Sequence, residues 1–324
     1  MKGFLIVLGG VVALLALAAL VGFLVLRRPD IPFETLEARY GVATSRFVDL
    51  PGGLRAHYRD DGDAGRPVVI LIHGFGDSFL SWDGWIDVLA RDFRVLTVDM
   101  PGHGLTRAPI DYQPSAAAHV DFVLAFAKAV GVDRFAIAGN SMGGGIAWRT
   151  ALASPDQVSA LVLLNAAGFS NDTPSAPPLA FRLLGTPFGR FLLETIETRP
   201  LTALALKSNV ADDALITPAF VDRWVAVQRA PGHRAILMRG APGPEADAQA
   251  LSTIRVPTWV AWGEDDHLLR LENAWKFSGA IAGAQLGIYA GVGHMPQIEI
   301  PAQSATDAAT FLRGALGVAA SSPD

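Results

Sequence analysis

Gly139-Asn140-Ser141-Met142-Gly143 sets a serine between two glycines in the form G-x-S-x-G, after the apolar run Phe135–Ala138 and before a helix-like segment opening at Ser141. Strand, sharp turn and helix form the context in which this pattern carries chemistry. A serine at such a turn sits in strained backbone with its Oγ exposed, and only very small residues two positions either side leave room for the turn. The helix N-terminus beneath it favours negative charge developing on a substrate oxygen. A glycine-rich turn with a capping serine would read the same in isolation, so the partners of Ser141 decide between the two.

A serine hydroxyl is a weak nucleophile and needs a base within hydrogen-bond reach. Among seven histidines, His294 is the candidate, because Gly291-Val292-Gly293-His294 follows the last strand-like run and so falls at the carboxyl edge of the sheet, where catalytic groups in open α/β sheets gather. His57 lies in an early strand, His119 on a helix face and His233 in an insertion, positions that suit packing or surface roles. An orienting acid should follow a strand and precede the histidine. Trp262-Gly263-Glu264-Asp265-Asp266 meets that order and offers three carboxylates, while the end of the preceding strand carries Asn165, which has none. For the oxyanion, the backbone N–H of Met142 supplies one donor and that of Phe75, in His73-Gly74-Phe75-Gly76, the other; His73 itself reads as structural. No two histidines have i, i+4 spacing, so zinc chemistry has no support, and a serine nucleophile activated by a histidine implies no metal or organic cofactor.

Outward from the motif, strand-like and helix-like runs alternate. Ser45–Leu50 and Arg55–Arg59, separated by Pro51-Gly52-Gly53, read as a hairpin. Pro67–Ile72 reads as a strand buried on both faces. A helix at Phe79–Ala90, a strand at Arg94–Val98, a helix at Pro114–Val130 and a strand at Ala160–Asn165 continue the order. It breaks over residues 166–254, which have no strand-like run, carry many prolines including Pro174, Pro177 and Pro178, and hold short helical stretches such as Phe188–Glu197 and Ala219–Arg229. Strands at Thr258–Trp262 and Gln285–Tyr289 and helices at Glu272–Ile281 and Ala302–Leu316 resume it. The expected architecture is an α/β fold with a mostly parallel sheet, helices on both faces and one helical insertion.

From Gly3 to Leu26 the chain carries no charge, and at about 1.5 Å per residue this run crosses a hydrocarbon core of about 30 Å. A cleaved signal peptide would want a shorter apolar region of about 7–15 residues and a small-residue cleavage site, whereas this run ends Leu24-Val25-Leu26-Arg27-Arg28. A single-pass N-terminal anchor is therefore expected. Lys2 precedes it and Arg27, Arg28 and Arg39 follow, a bias that leans toward a cytoplasmic catalytic domain. Residues 29–43 read as a linker and 319–324 as a disordered tail. The chain is 51% hydrophobic and 18% charged, which excludes intrinsic disorder. A net charge of −5 without a basic stripe gives nucleic acid nothing to follow. Oligomeric state has no signature in the sequence.

These motifs resemble the α/β-hydrolase superfamily over nearly all of Ser45–Leu316. His73-Gly74-Phe75-Gly76, Asp99-Met100-Pro101-Gly102-His103-Gly104, Gly139-Asn140-Ser141-Met142-Gly143-Gly144 and Asn165-Ala166-Ala167-Gly168 are similar to bacterial family V esterases and membrane-anchored monoacylglycerol lipases, with meta-cleavage-product C–C hydrolases close by. The resemblance implies that the second aspartate of W-G-x-D-D, Asp266, is the acid, that Gly293-His294 carries the base, and that the insertion is a helical cap. Domain boundaries follow: anchor 1–28, linker 29–43, core 44–168 and 255–318, cap 169–254. The implied activity is hydrolysis of monoacylglycerol or other medium-chain, lipid-like esters by an acyl-enzyme route. C–C bond hydrolysis and a non-catalytic membrane-tethered role are the alternatives. Relatives carry a proline where this chain has Leu268-Leu269-Arg270 and a serine where it has Leu105-Thr106; neither departure touches a candidate catalytic position.

Overall fold

The computed structural model of the chain describes residues 2–172, 179–240 and 245–320. Residues 321–324 of the expected tail, and Pro174, Pro177 and Pro178 of the insertion, lie outside them. In chain order, α1 (Lys2–Leu26) and α2 (Phe33–Tyr40) precede the hairpin β1 (Ser45–Leu50) and β2 (Leu54–Asp61). Then follow β3 (Val68–Ile72), α3 (Asp83–Leu89), β4 (Arg94–Val98), α4 (Ala116–Ala129), β5 (Phe135–Asn140), α5 (Met142–Ala153) and β6 (Val158–Leu164). The insertion folds as α6 (Leu179–Leu184), α7 (Pro187–Thr195), α8 (Arg199–Lys207), α9 (Pro218–Gln228), α10 (His233–Arg239) and α11 (Ala248–Leu251). Last come β7 (Thr258–Gly263), α12 (Glu272–Ala280), β8 (Gln285–Tyr289), α13 (Pro296–Glu299) and α14 (Pro301–Leu316).

The eight strands form one sheet in the order β1-β2-β4-β3-β5-β6-β7-β8, antiparallel through β1, β2 and β4 and parallel from β4 to β8. Both faces are covered, which is why β3, β5 and β7 read as continuous apolar runs rather than alternating ones. On one face α4, α5 and α12 bring Phe122, Phe126, Trp148 and Phe277 against Ile70, Ile137 and Leu163. On the other, α3 and α14 bring Trp85, Leu89, Ala308 and Leu312 against Leu71, Ala138 and Val162. Parallel strands all end at the same edge, so the loops after β3, β5, β7 and β8 converge there.

Two local expectations change. The helix expected over Phe79–Ala90 is a 3-10 turn at Phe79–Trp82 that passes into α3. The linker expected at residues 29–43 carries α2, because Phe33, Leu36 and Tyr40 recur at helical spacing and share one face. That face closes over Phe79, Leu105, Ala226 and Ala230, burying Leu36 to 1% exposure. Arg107 to Glu37 at 2.7 Å and Ile31 N–H to Arg229 O at 2.7 Å fasten the segment to the core and to the insertion.

Candidate active site

Ser141 stands between β5 and α5 with φ 54° and ψ −118°, one of two non-glycine residues with positive φ among the described residues. This conformation costs of order 1–3 kcal/mol and persists only where the surroundings dictate it. The surroundings are the two motif glycines. A Cβ on Gly139 would lie 2.2 Å from the Gly143 carbonyl, and one on Gly143 would lie 2.1 Å from Ile72 O. The turn therefore nests against the end of β3, and the His73–Gly76 loop follows directly: a Cβ on Gly74 would come 3.4 Å from Ser141 Cβ. The loop of Phe75 and the helix start at Met142 thus flank the serine.

His73 keeps this loop in shape. Its Nε2 accepts from Met100 N–H at 3.0 Å, so its proton is on Nδ1, which donates to Gly74 O at 2.8 Å. Burial holds its pKa below the ordinary imidazole value, and that of neighbouring His103 well below. Burial thus disfavours an imidazolium charge on this side of the serine. From the insertion, Gln228 Nε2 donates to Gly76 O at 2.7 Å.

At the far side of the serine, His294 Nδ1 donates to Asp266 Oδ2 at 2.7 Å, with both residues buried at 4% and 3% exposure. Of the three carboxylates after β7, Glu264 and Asp265 face solvent and Asp266 turns inward. All four acceptor directions of Asp266 are used: Oδ1 accepts from Leu268 and Leu269 N–H at 2.8 and 2.9 Å, and Oδ2 accepts from Asn165 Nδ2 at 2.6 Å besides His294. Such a carboxylate holds one rotamer and orients the imidazole through Nδ1, so Nε2 is the ring nitrogen turned away from the acid. The nucleophile turn and the histidine loop are tied directly, since Asn140 Nδ2 donates to His294 O at 3.0 Å.

Three contributors escaped the sequence reading. Asn165, set aside for lack of a carboxylate, stands at φ 44° and braces Asp266 through Nδ2 while its Oδ1 accepts from Gly263 N–H at 3.2 Å. A polar residue closing the apolar run Leu161–Leu164 was its signal. Asn140 fills the first variable position of G-x-S-x-G, which the motif leaves unspecified. Glu299 accepts from Gly293 N–H at 2.9 Å and Met295 N–H at 3.0 Å, either side of His294, and from Ala211 N–H of the insertion at 2.8 Å. Nothing in its local pattern marked it. His57 sits buried, its Nδ1 2.7 Å from Asp99 Oδ2 and its Nε2 2.9 Å from Ser45 Oγ, within the β1, β2 and β4 edge of the sheet. It packs, as its place in an early strand suggested.

A family model of the alpha/beta hydrolase fold matches residues 67–301. The chain belongs to the α/β-hydrolase family. As a hydrolase of this fold it acts on a small-molecule substrate. Among named relatives, 2-hydroxymuconate semialdehyde hydrolase of Pseudomonas sp. is 30% identical over 274 residues, covering 81% of this chain and 92% of that protein. Among solved structures, a membrane phospholipase A described as a bacterial virulence factor superposes with a TM-score of 0.72 at 27% identity, covering 98% of this chain and 99% of its own. A meta-cleavage-product hydrolase from Pseudomonas fluorescens gives a TM-score of 0.72 at 25% identity, covering 83% of this chain and 98% of its own.

Proposed function

We propose that this hydrolase cleaves carboxylic esters of lipid-like molecules, monoacylglycerols or other medium-chain esters, at a membrane to which α1 anchors it. The observation that carries the chemistry is the buried Asp266–His294 pair at 2.7 Å, tied through Asn140 to the strained turn of Ser141. His294 Nε2 takes the proton of Ser141 Oγ as Oγ adds to the ester carbonyl. The N–H groups of Phe75 and Met142 receive the oxyanion, each such donor typically contributing about 10²–10³ in rate. Collapse of the tetrahedral adduct breaks the carbonyl-to-alkoxy bond, and the leaving alcohol takes the proton back from His294. Water then attacks the acyl-Ser141 ester and gives a proton to His294, which returns it to Ser141 Oγ as the acyl-to-Oγ bond breaks and the acid leaves. Residues 169–254 act as the cap over this centre, with residues 44–168 and 255–318 as the core.

Coverage supports a lipid ester. The likeness to the phospholipase extends over 98% of the chain, and so includes α1, whereas the likeness to the C–C hydrolase stops at 83%. The uncharged run Gly3–Leu26 lies almost wholly bare along α1, as a bilayer span requires. C–C bond hydrolysis is the second reading, favoured by the 30% identity to 2-hydroxymuconate semialdehyde hydrolase.

The test is turnover of a p-nitrophenyl ester series, a 1-monoacylglycerol and a meta-cleavage dienoate by the full chain in detergent, beside Ser141→Ala. Rates that rise from acetate to longer chains, include the glycerol ester and vanish in the variant agree with the proposal. Turnover of the dienoate alone transfers the assignment to C–C hydrolysis. Folded protein that neither turns over esters nor reacts with a fluorophosphonate has a non-catalytic role.

A further inference from the structure

We infer that the cap helix α7 is a second membrane contact, lying in the headgroup boundary of the bilayer that holds α1; the inference rests on the reading of α1 as an anchor. The chain leaving α1 is stitched to the end of α7. Arg27 pairs with Ile196 as an antiparallel bridge, Arg28 N–H donates to Thr195 O at 3.0 Å, and Glu197 N–H donates to Leu26 O at 2.7 Å. Arg28 Nε closes the junction on Glu197 Oε2 at 2.8 Å. Inside the last turn of α1, the Phe23 ring stacks on Phe191 of α7 at 5.9 Å between centroids and 11° between planes.

These contacts set the depth of α7. Phe23 precedes Arg27 by four positions, so at about 1.5 Å per residue its ring lies roughly 6 Å along the helix axis on the lipid side of Arg27. Phe191 shares that level. Helices that lie in a membrane interface bury their apolar face by about 5–10 Å, which is the same range. One turn away on α7, Phe188 is 70% exposed, and on the neighbouring α8 Leu204 is 63% exposed. Large apolar side chains so placed have no reason to face water when a hydrocarbon boundary is at their level. The opposite sides of the same helices are occupied: Leu193 and Leu206 are buried, and Leu206 packs with Val210 and Met295, the neighbour of His294. The insertion thus packs on the neighbour of His294 through α8 and presents its membrane contact through α7.

The chain has no cysteine, so single cysteines report position without a background. Phe188→Cys, Leu14→Cys in α1 and Asp133→Cys before β5, at the amino edge of the sheet, are each labelled with an environment-sensitive fluorophore. The full chain is then placed in phosphatidylcholine–phosphatidylglycerol vesicles doped with spin-labelled lipids. Expected is strong loss of emission at position 188 with spin labels near the headgroup, loss at 14 with labels deep in the acyl chains, and none at 133. Quenching at 14 with position 188 matching 133 overturns the inference and leaves the anchor standing. Shielding at 188 that resists lipid quenching and grows with protein density assigns the face to a second copy instead, and also overturns it. Emission at 14 untouched by deep labels removes the anchor and the inference together. As a second readout, Phe188→Ser with Phe191→Ser should lower turnover of vesicle-borne monoacylglycerol roughly tenfold, leaving p-nitrophenyl acetate turnover unchanged. Equal rates on vesicles count against the contact.

Discussion

Replacing Ser141 by glycine should abolish turnover and yet leave a protein more stable than the alanine variant. Both substitutions remove the hydroxyl, so they differ in one atom, Cβ. At φ 54° and ψ −118° a Cβ costs of order 1–3 kcal/mol. Glycine relieves that strain but adds about 0.5–1 kcal/mol of chain entropy in the unfolded state. The difference leaves Ser141→Gly ahead of Ser141→Ala by roughly 1 kcal/mol, or about 2 °C in melting temperature for a chain of this length. In ordinary helical or extended backbone the same exchange goes the other way by about 0.5–1 kcal/mol. The sign is thus the test, read by thermal unfolding of both full-length variants in the same detergent, with a fluorophosphonate confirming that neither is labelled. A glycine variant that melts below the alanine variant would refute the view that the Gly139 and Gly143 contacts force strain onto the serine.

Other outcomes follow from the same geometry. Asn165→Gly keeps the backbone free to hold φ 44° and removes both the brace on Asp266 and the acceptor of the Gly263 N–H; a hydrogen bond to a charged group contributes about 1.5–3 kcal/mol, so kcat should fall by about 10–100-fold with KM little changed. Burial pushes the Asp77 carboxyl up to about 7 against a partial offset from the Ser78 N–H. The folded state then holds a proton that the unfolded state has lost, so stability from this group declines as pH rises from about 4 to about 7 and stays reduced above. Asp77→Asn should match the native protein near pH 4 and exceed its stability at about pH 8 by up to the order of 4 kcal/mol, measured by denaturant unfolding at each pH. Glu299→Ala strands three backbone donors and should cost about 3 kcal/mol, together with a loss of kcat that Glu299→Gln, which keeps an acceptor, partly restores.

Much of the architecture was legible because parallel strands covered on both faces leave a strong local signal: Val68–Ile72 and Phe135–Ala138 read as buried strands without any partner being known. The nucleophile turn was legible because its two glycines are demanded by contacts within a few residues and against the adjacent strand. Which carboxylate meets His294 was legible only by resemblance. Glu264, Asp265 and Asp266 share one local pattern, and what separates them is which one turns inward to a histidine 28 positions on. The Asn165 amide meets Asp266 across 101 positions and Asn140 meets His294 across 154, distances over which periodicity carries no information. The helix at Phe33–Tyr40 was obscured by its flanking prolines, although its apolar face had the right spacing.

Glu299 bears on how this protein can be recombined. Its carboxylate spends one oxygen on the insertion and the histidine loop jointly and the other on the histidine loop alone, and Asn209 O receives the His294 N–H at 2.7 Å from the same stretch of the insertion. The insertion is therefore not an interchangeable cassette, despite joining the sheet at two points in the chain. A foreign insertion spliced in at residues 169 and 254 would leave Glu299 short of an amide and His294 short of a carbonyl. Swaps that carry the backbone of residues 209–211 along with the native Glu299 should retain turnover, and swaps that replace it should yield folded proteins with a slack histidine loop.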